Sequence, residues 1–490
     1  MSAQANSYLA RILTTQVYEV AHETPLTFAA NMSQLLSNEV YLKREDTQPV
    51  FSFKIRGAYN KIAKLSEEQR RKGVVTCSAG NHAQGVAMSA CKLGINAVIV
   101  MPVATPSIKV DAVRRFGGPT VTVLLHGQNF DAAAAEAKRM ELERGLTLIH
   151  PFDDEEVIAG QGTIGMEILK KLNGKPLDII FACVGGGGLL SGIAAYVKSL
   201  QPNVKVIGVE ADDAAGMTES LRAGKVVTLP QVGLFADGAA VRTVGANTFS
   251  LCSELVDEML TVSTDEICAA IKMGFNDTRC VLEPAGALAA AGLVKYTRMH
   301  NCKNMTMVAI ASGANMDFDR LRFVSERADS SETLISVAIP ERPGSFRELY
   351  SIIYPRNVTE FSYRWNGSDK ANVFVSYQCL PGRMLKEDKP VLKEALLSKG
   401  YLVTDLSMNE MAKAHARHLA GGRAHYYDQK DGKNELLFRF EFPEAPGALN
   451  KFLHTLNHFN QGLVALSRKS RTYIQLLVSL CVVVLPNLSI

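Results

Sequence analysis

The stretch FACVGGGGLLSGIAAYVKSL, residues 181–200, decides the fold. A β-rich apolar run ends at Val184, four glycines follow from Gly185 to Gly188, and a helical pattern opens at once. Consecutive glycines let the backbone approach a ligand closely and turn its N–H groups inward, and a helix N-terminus adds positive potential, so the loop suits a phosphate. A nucleotide-triphosphate loop would end in Gly-Lys-Ser/Thr, but Leu189 and Leu190 follow here. The dinucleotide pattern GxGxxG fails as well, because Leu190 stands where its last glycine belongs. What remains is a small phosphate-bearing cofactor, with a ligand-free glycine turn as the alternative.

Outward from this element, residues 70–320 alternate short β-rich runs (GVVTCS, NAVIVM, DIIFACV, KVIGVE, MTMVAIAS) with longer helical stretches. Several runs are apolar on both faces, as central parallel strands are. The alternation implies a doubly wound α/β architecture, in which ligands bind where strands end and helices begin. Past SERADSSE, 325–332, the texture changes to a repeat: VAIPERPGSFRELYSII from Val337 and FEFPEAPGALNKFLHTL from Phe440. Pro340, Glu341, Pro343 and Gly344 align with Pro443, Glu444, Pro446 and Gly447. Two strand–turn–helix copies predict two small α+β modules, either ligand-sensing or purely for oligomerisation.

Composition bounds the rest. The chain has 490 residues, 47% hydrophobic and 21% charged, with a net charge of +4. Near balance and the lack of a dense basic patch with interleaved aromatics argue against a nucleic-acid partner. The nine cysteines are dispersed without a CxxC pair, which points to reduced thiols and to no structural metal. The N-terminus lacks the charged and apolar regions of a secretory signal, and IQLLVSLCVVVLP, 474–486, is too short to cross a bilayer and reads as a buried strand. A soluble, cytoplasmic protein is expected.

Further segments offer chemistry. In TCSAGNHAQG, 76–85, a strand meets a helix, and Ser78, Gly80, Asn81 and His82 suit a carboxylate or phenolic oxygen; Ser78 and Asn81 are also good N-caps, so a capped helix alone explains the stretch equally well. Ser312 in AIASGANMDF follows an apolar strand, but ASGAN is no GxSxG elbow, which excludes a serine hydrolase there. In SFKIRGAYN, 52–60, Lys54 stands between Phe53 and the start of a helix. The helix dipole and Arg56 both disfavour its ammonium form, as a Schiff-base lysine requires. A phosphate loop, an activated lysine and an oxygen-binding loop together point to pyridoxal phosphate. Weaker candidates are His415 and His418, read as a solvated helix; KREDTQ, 43–48, read as a loop of salt bridges; Glu210, Asp212 and Asp213, a cation site less favoured than plain strand-end carboxylates; and Glu283, a candidate to face the site, before Pro284, which is placed to start a helix.

KREDTQPVFSFKIRGAYN, SAGNHAQG, VGGGGL, EPAGALA and SGAN resemble the signatures of the biosynthetic threonine deaminases, fold-type II enzymes of pyridoxal phosphate, from about residue 8 to about 465. The C-terminal repeat is similar to the paired ACT-like domains of the feedback-regulated form. The resemblance implies a two-lobed catalytic domain over 1–328, with a small lobe at about 46–144, and ACT-like modules over 333–407 and 435–490. By the same resemblance Lys54 binds the cofactor aldehyde, Phe53 lies against the ring, and Gly185, Gly186, Gly187, Gly188 and Leu189 bind the phosphate. Asn81 bonds the ring's 3′-oxygen, Ser78, Gly80, Asn81 and His82 seat the substrate carboxylate, and Ser312 faces the ring nitrogen. A hydroxyl there makes the ring a milder electron sink, which favours elimination over transamination. The implied reaction converts L-threonine, and L-serine also, to an oxo acid and ammonia; isoleucine inhibits, valine relieves, and the assembly is a homotetramer without membrane or nucleic acid. A serine dehydratase or racemase on the same site, and an inactive amino-acid sensor, are the alternatives. Two departures stand out: GGPTVTVLLHG, 117–127, is expected as a lengthened loop, and the ending LLVSLCVVVLPNLSI replaces the family's usual close, which is expected to affect completion of the second module.

Overall fold

The computed structural model describes residues 3–328, 332–340, 342, 344–364, 369–380, 385–407, 436–443, 463–470 and 477–484. The chain forms two compact units, Met1–Ala328 and Asp329–Ile490.

Ten strands build the first unit: β1 Leu26–Phe28, β2 Glu39–Arg44, β3 Val74–Cys77, β4 Ala97–Met101, β5 Val121–Leu125, β6 Thr147–Leu148, β7 Ile179–Cys183, β8 Lys205–Ala211, β9 Glu258–Val262 and β10 Thr306–Ala311. They form a large sheet in the order β1-β2-β10-β7-β8-β9 and a small one in the order β5-β4-β3-β6. Only the β1–β2 pairing is antiparallel; the others are parallel. Every residue of β7 and β3 is buried, which explains their unbroken apolar runs. GGPTVTVLLHG is not a lengthened loop. Its β-branched run Val121–Leu125 is an edge strand, paired residue for residue with β4.

A buried ionic cluster ties this unit together. Lys43, Glu45, Arg56 and Glu167 are each at most 1% exposed. Arg56 Nη1 and Nη2 donate to the two Glu167 oxygens at 2.5 and 2.9 Å, and its Nε and Nη2 donate to Glu45 at 2.7 and 2.8 Å. Lys43 Nζ donates to Glu167 at 2.5 Å and also to the Thr24 hydroxyl. KREDTQ therefore forms ion pairs as expected, but not in a loop: Lys43 and Arg44 close β2, and Glu45–Thr47 is a 3-10 turn. Burial alone would lower the Arg56 pKa; Glu45 and Glu167 outweigh it and raise it, so the guanidinium stays charged. The two cations match the two carboxylates, and the cluster joins β2, the Lys54–Ala63 helix and the Glu155–Leu172 helix.

The second unit contains β11 Glu332–Pro340, β12 Asn357–Arg364, β13 Lys370–Gln378, β14 Leu402–Asp405, β15 Leu436–Pro443, β16 Leu463–Ser470 and β17 Leu477–Val484. They make one sheet in the order β14-β11-β13-β12-β16-β17-β15. The first repeat copy is β11, a turn at Gly344 with φ +92°, and the Ser345–Ile353 helix, whose Leu349, Tyr350 and Ile353 pack on Val337, Phe361 and Val375. The second copy begins with β15; the helix expected after Pro443 and the His415–His418 segment lie outside the described residues. The 474–486 run does contain a strand, β17. Among the described residues no helix is long and apolar enough to cross a membrane.

Removing one member of the ionic cluster strands its partners. Glu167→Ala leaves two buried cations with one carboxylate and should lower stability by roughly 3–5 kcal/mol. Urea denaturation, read as a fall in midpoint at constant slope, checks this.

Candidate active site

Lys54 is the first residue of its helix, and the loop before it is stitched to the end of β10. Phe53 N–H donates to Ser312 O at 3.1 Å, Ala314 N–H donates to Phe51 O at 2.9 Å, and Ser52 bridges Gly313. Lys54 Nζ donates to Pro151 O at 2.9 Å and lies 5.2 Å from the centre of the Phe53 ring. Both partners are neutral. Burial lowers the Lys54 pKa from 10.5 to about 8, against the pull of Cys183 and Glu283. Arg56, expected to contribute to that shift, is not its cause: its guanidinium points into the buried cluster, where Glu45 and Glu167 offset its charge.

The glycine loop packs against Phe152, next to the Pro151 carbonyl that Lys54 bonds. Gly187 caps the Gly188–Leu200 helix with φ +96°, a conformation L side chains rarely adopt, and a Cβ there would stand 2.7 Å from Met217 Cε and 2.8 Å from Thr248 Cβ. A Cβ on Gly186 would overlap the Phe152 ring. The first helical bond runs from Ser191 N–H to Gly187 O at 2.9 Å, so the N–H groups of Gly188, Leu189 and Leu190 precede the ladder. Thr248 Oγ1 donates to Gly186 O at 2.6 Å and fixes that carbonyl. Asp153 in turn accepts from Ala246, Asn247 and Thr248 N–H at 3.0, 2.9 and 3.2 Å. Pro151, Phe152, Asp153 and Thr248 escaped the sequence reading; the Pro-Phe pair directly after the β-rich LTLIH was the one signal for the first two.

The 78–82 loop is arranged differently from expectation. Neither Ser78 nor Asn81 caps the helix: Gly80 is the N-cap and Asn81 the first helical residue. Ser78 Oγ accepts from Gly80 N–H at 3.3 Å instead. Gln84 N–H makes the first bond back to Gly80 O, so the amides of Asn81, His82 and Ala83 are available to an anion. The His82 ring supplies no charge: it is 3% exposed, bonded to Ile149 O at 2.9 Å, and burial lowers its pKa to about 3. Ser312 accepts from the Cys183 thiol at 3.2 Å and donates to Ala285 O at 3.3 Å; burial holds that thiol up at about 11, hence protonated. Asn81 Nδ2 donates to Glu283 at 2.6 Å, so Glu283 does face the site. Glu210 serves as an anchor: it accepts from Met217 and Thr218 N–H at 2.8 and 2.9 Å.

The site therefore has a glycine cradle that any Cβ would fill, open helix-start amides on two sides, and a buried amine bonded to a neutral carbonyl. These residues fit an aldehyde-bearing phosphate cofactor, and the doubly wound lobes with this lysine define a pyridoxal-phosphate dependent enzyme. Residues 17–313 match the pyridoxal-phosphate dependent enzyme family, and residues 325–416 match the C-terminal regulatory domain of threonine dehydratase. The chain is 52% identical over 455 residues, 92% of its length and 88% of the relative's, to the biosynthetic L-threonine dehydratase of Burkholderia multivorans. Among solved structures it is similar to the processed form of threonine deaminase isoform 2 of Solanum lycopersicum, with TM-score 0.65 and 50% identity over 67% of this chain and 89% of that one. Maize serine racemase matches with TM-score 0.59 and 33% identity over 66% and 96% of the two chains. The chain belongs to the threonine dehydratase family of pyridoxal-phosphate enzymes.

Only a neutral amine attacks an aldehyde. Covalent attachment of pyridoxal phosphate to the cofactor-free protein, trapped by borohydride reduction, should rise with pH and reach half its limiting rate near pH 8, the value burial gives Lys54. A midpoint near 10.5 would contradict the burial argument. Gly186→Ala should displace Phe152 and weaken cofactor binding by at least about tenfold, read by equilibrium titration.

Proposed function

We propose that the protein deaminates L-threonine to 2-oxobutanoate and ammonia. The observation that carries this is the buried Lys54 amine, 2.9 Å from the neutral carbonyl of Pro151, whose neighbour Phe152 packs on Gly186 and Gly188. Bound pyridoxal phosphate supplies an aldehyde that holds the substrate amino group and a ring that accepts the electron pair left at Cα. The amides after Gly187 would hold its phosphate, Phe53 would back its ring, Asn81 would donate to its 3′-oxygen and Ser312 would stand by its nitrogen. The amides of the Ser78–His82 loop, with Gly80 leaving room, seat the substrate carboxylate. With the cofactor bound, Lys54 Nζ would take the Cα proton as general base. The proton taken from Cα would go out with the β-hydroxyl as water, and hydrolysis of the product enamine would give the oxo acid and ammonia.

The small lobe of about 46–144 and the modules over 333–407 and 435–490 complete this reading, with the two modules as the regulatory half. Isoleucine is the inhibitor, valine the opposing effector, and the assembly a homotetramer. The free cysteines among the described residues fit a reducing compartment such as the cytoplasm. A second reading, serine dehydration or racemisation at the same site, is favoured by the likeness to maize serine racemase.

Oxo-acid release from threonine, compared with serine and repeated under an isoleucine titration, tests the proposal. Threonine turnover that isoleucine suppresses and that Lys54→Ala abolishes is expected. Serine epimerisation without oxo acid from threonine would move the function to a racemase, and an inert holoprotein would leave a sensor.

A further inference from the structure

The Glu283 carboxylate has no task in the helix it begins. Glu283 precedes the Pro284–His300 helix as N-cap, yet its side chain makes no capping hydrogen bond. It is 4% exposed, and its Oε1 instead accepts from Asn81 Nδ2 at 2.6 Å. The other end of the Asn81 carboxamide is also held: Oδ1 accepts from Asn315 Nδ2 at 2.7 Å, and Asn315 Nδ2 also donates to Val50 O at 2.8 Å. A carboxamide has two orientations, and only one satisfies this arrangement. Flipped, it would set its oxygen against the carboxylate and its N–H₂ against that of Asn315, losing two hydrogen bonds.

The carboxylate is itself fixed. Glu283 N–H donates to Gly313 O at 3.1 Å. Gly313 has no side chain where the carboxylate lies, since a Cβ there would overlap Oε1. A Cβ on Gly238 would stand in ordinary contact with both partners, 3.7 Å from the same oxygen and 3.6 Å from Asn81 Nδ2, so Gly238 borders the pair.

We propose that Glu283 is a positioning residue that keeps the Asn81 N–H₂ turned into the site, leaving its second N–H to donate to the phenolic oxygen of the bound cofactor. This rests on the role assigned to Asn81 under Proposed function. One hydrogen of Nδ2 goes to Glu283, the other is free, and Oδ1 is occupied by Asn315. Asn81 is thus a donor only, which favours the ionised form of the oxygen it faces.

The test uses the full-length holoenzyme and four variants: Asn81→Ala, Glu283→Ala, Glu283→Gln and the Asn81→Ala/Glu283→Ala double. The readouts are the visible absorption maximum of the bound cofactor, its dissociation constant, and the thermal midpoint. Glu283→Ala should shift the maximum and weaken cofactor binding about tenfold. Glu283→Gln, which keeps an acceptor oxygen, should restore the parent spectrum. The double variant should match Asn81→Ala alone, because both changes act through one contact. Should Glu283→Ala fail to fold, Glu283→Met takes its place in the cycle, filling the space without an acceptor. A shift with Asn81→Ala but none with the Glu283 variant overturns the proposal, as do strictly additive effects or a change confined to the thermal midpoint. An unchanged spectrum and affinity in Asn81→Ala would refute the role of Asn81 itself.

Discussion

Two backbone hydrogen bonds hold this site in register. Phe53 N–H to Ser312 O and Ala314 N–H to Phe51 O splice the approach to Lys54 onto the end of β10. Without them the lysine, on a helix that packs with the small lobe, would have no fixed distance to Ser312, which leaves the large sheet. β10 lies beside β7, and β7 runs into the glycine cradle. Lys54, Ser312 and the glycine loop 185–188 are thus three points on one continuous backbone frame. Side chains then need only small adjustments to meet the cofactor, and preorganisation of this kind limits the reorganisation left for the chemical step.

The charges follow the same logic. Two residues beyond Lys54, Arg56 carries a full charge in the same helix, but its guanidinium is bonded to two carboxylates on the far side. Lys54 meets a carbonyl, an aromatic ring, a protonated thiol and a carboxyl that burial pushes up to about 7, opposed by its bond from Asn81. Ionic stabilisation is therefore kept in the framework and nearly absent at the reacting amine. A carboxylate in contact with Nζ would hold the lysine protonated and unreactive near neutral pH.

Local chemistry made part of this legible in the sequence. The glycine loop and Lys54 advertise themselves through residue type and position alone, and the parallel strands through unbroken apolar runs. What escaped depends on contacts between distant residues. Arg56 was misread because its partner Glu167 lies 111 positions away, and the Glu283–Asn81 bond spans 202. The capping role given to Ser78 and Asn81 was chemically reasonable, yet Gly80 takes the N-cap position and Ser78 turns back on the Gly80 amide. Edge strand β5 was taken for a loop because only its alignment with β4 reveals it.

The second unit repeats one strand order on both sides of its sheet. β11, β13 and β12 lie side by side, and β15, β17 and β16 repeat that order in mirror sequence across the sheet, joined by the antiparallel β12–β16 pairing. β17 therefore occupies the central place that β13 holds in the first copy. It pairs with β15 along all eight residues, from Leu436 opposite Val484 to Pro443 opposite Leu477, and with β16 on its other side. A central strand must bond on both edges and favours β-branched, apolar sequence over any specific motif. The run LVSLCVVV meets that demand.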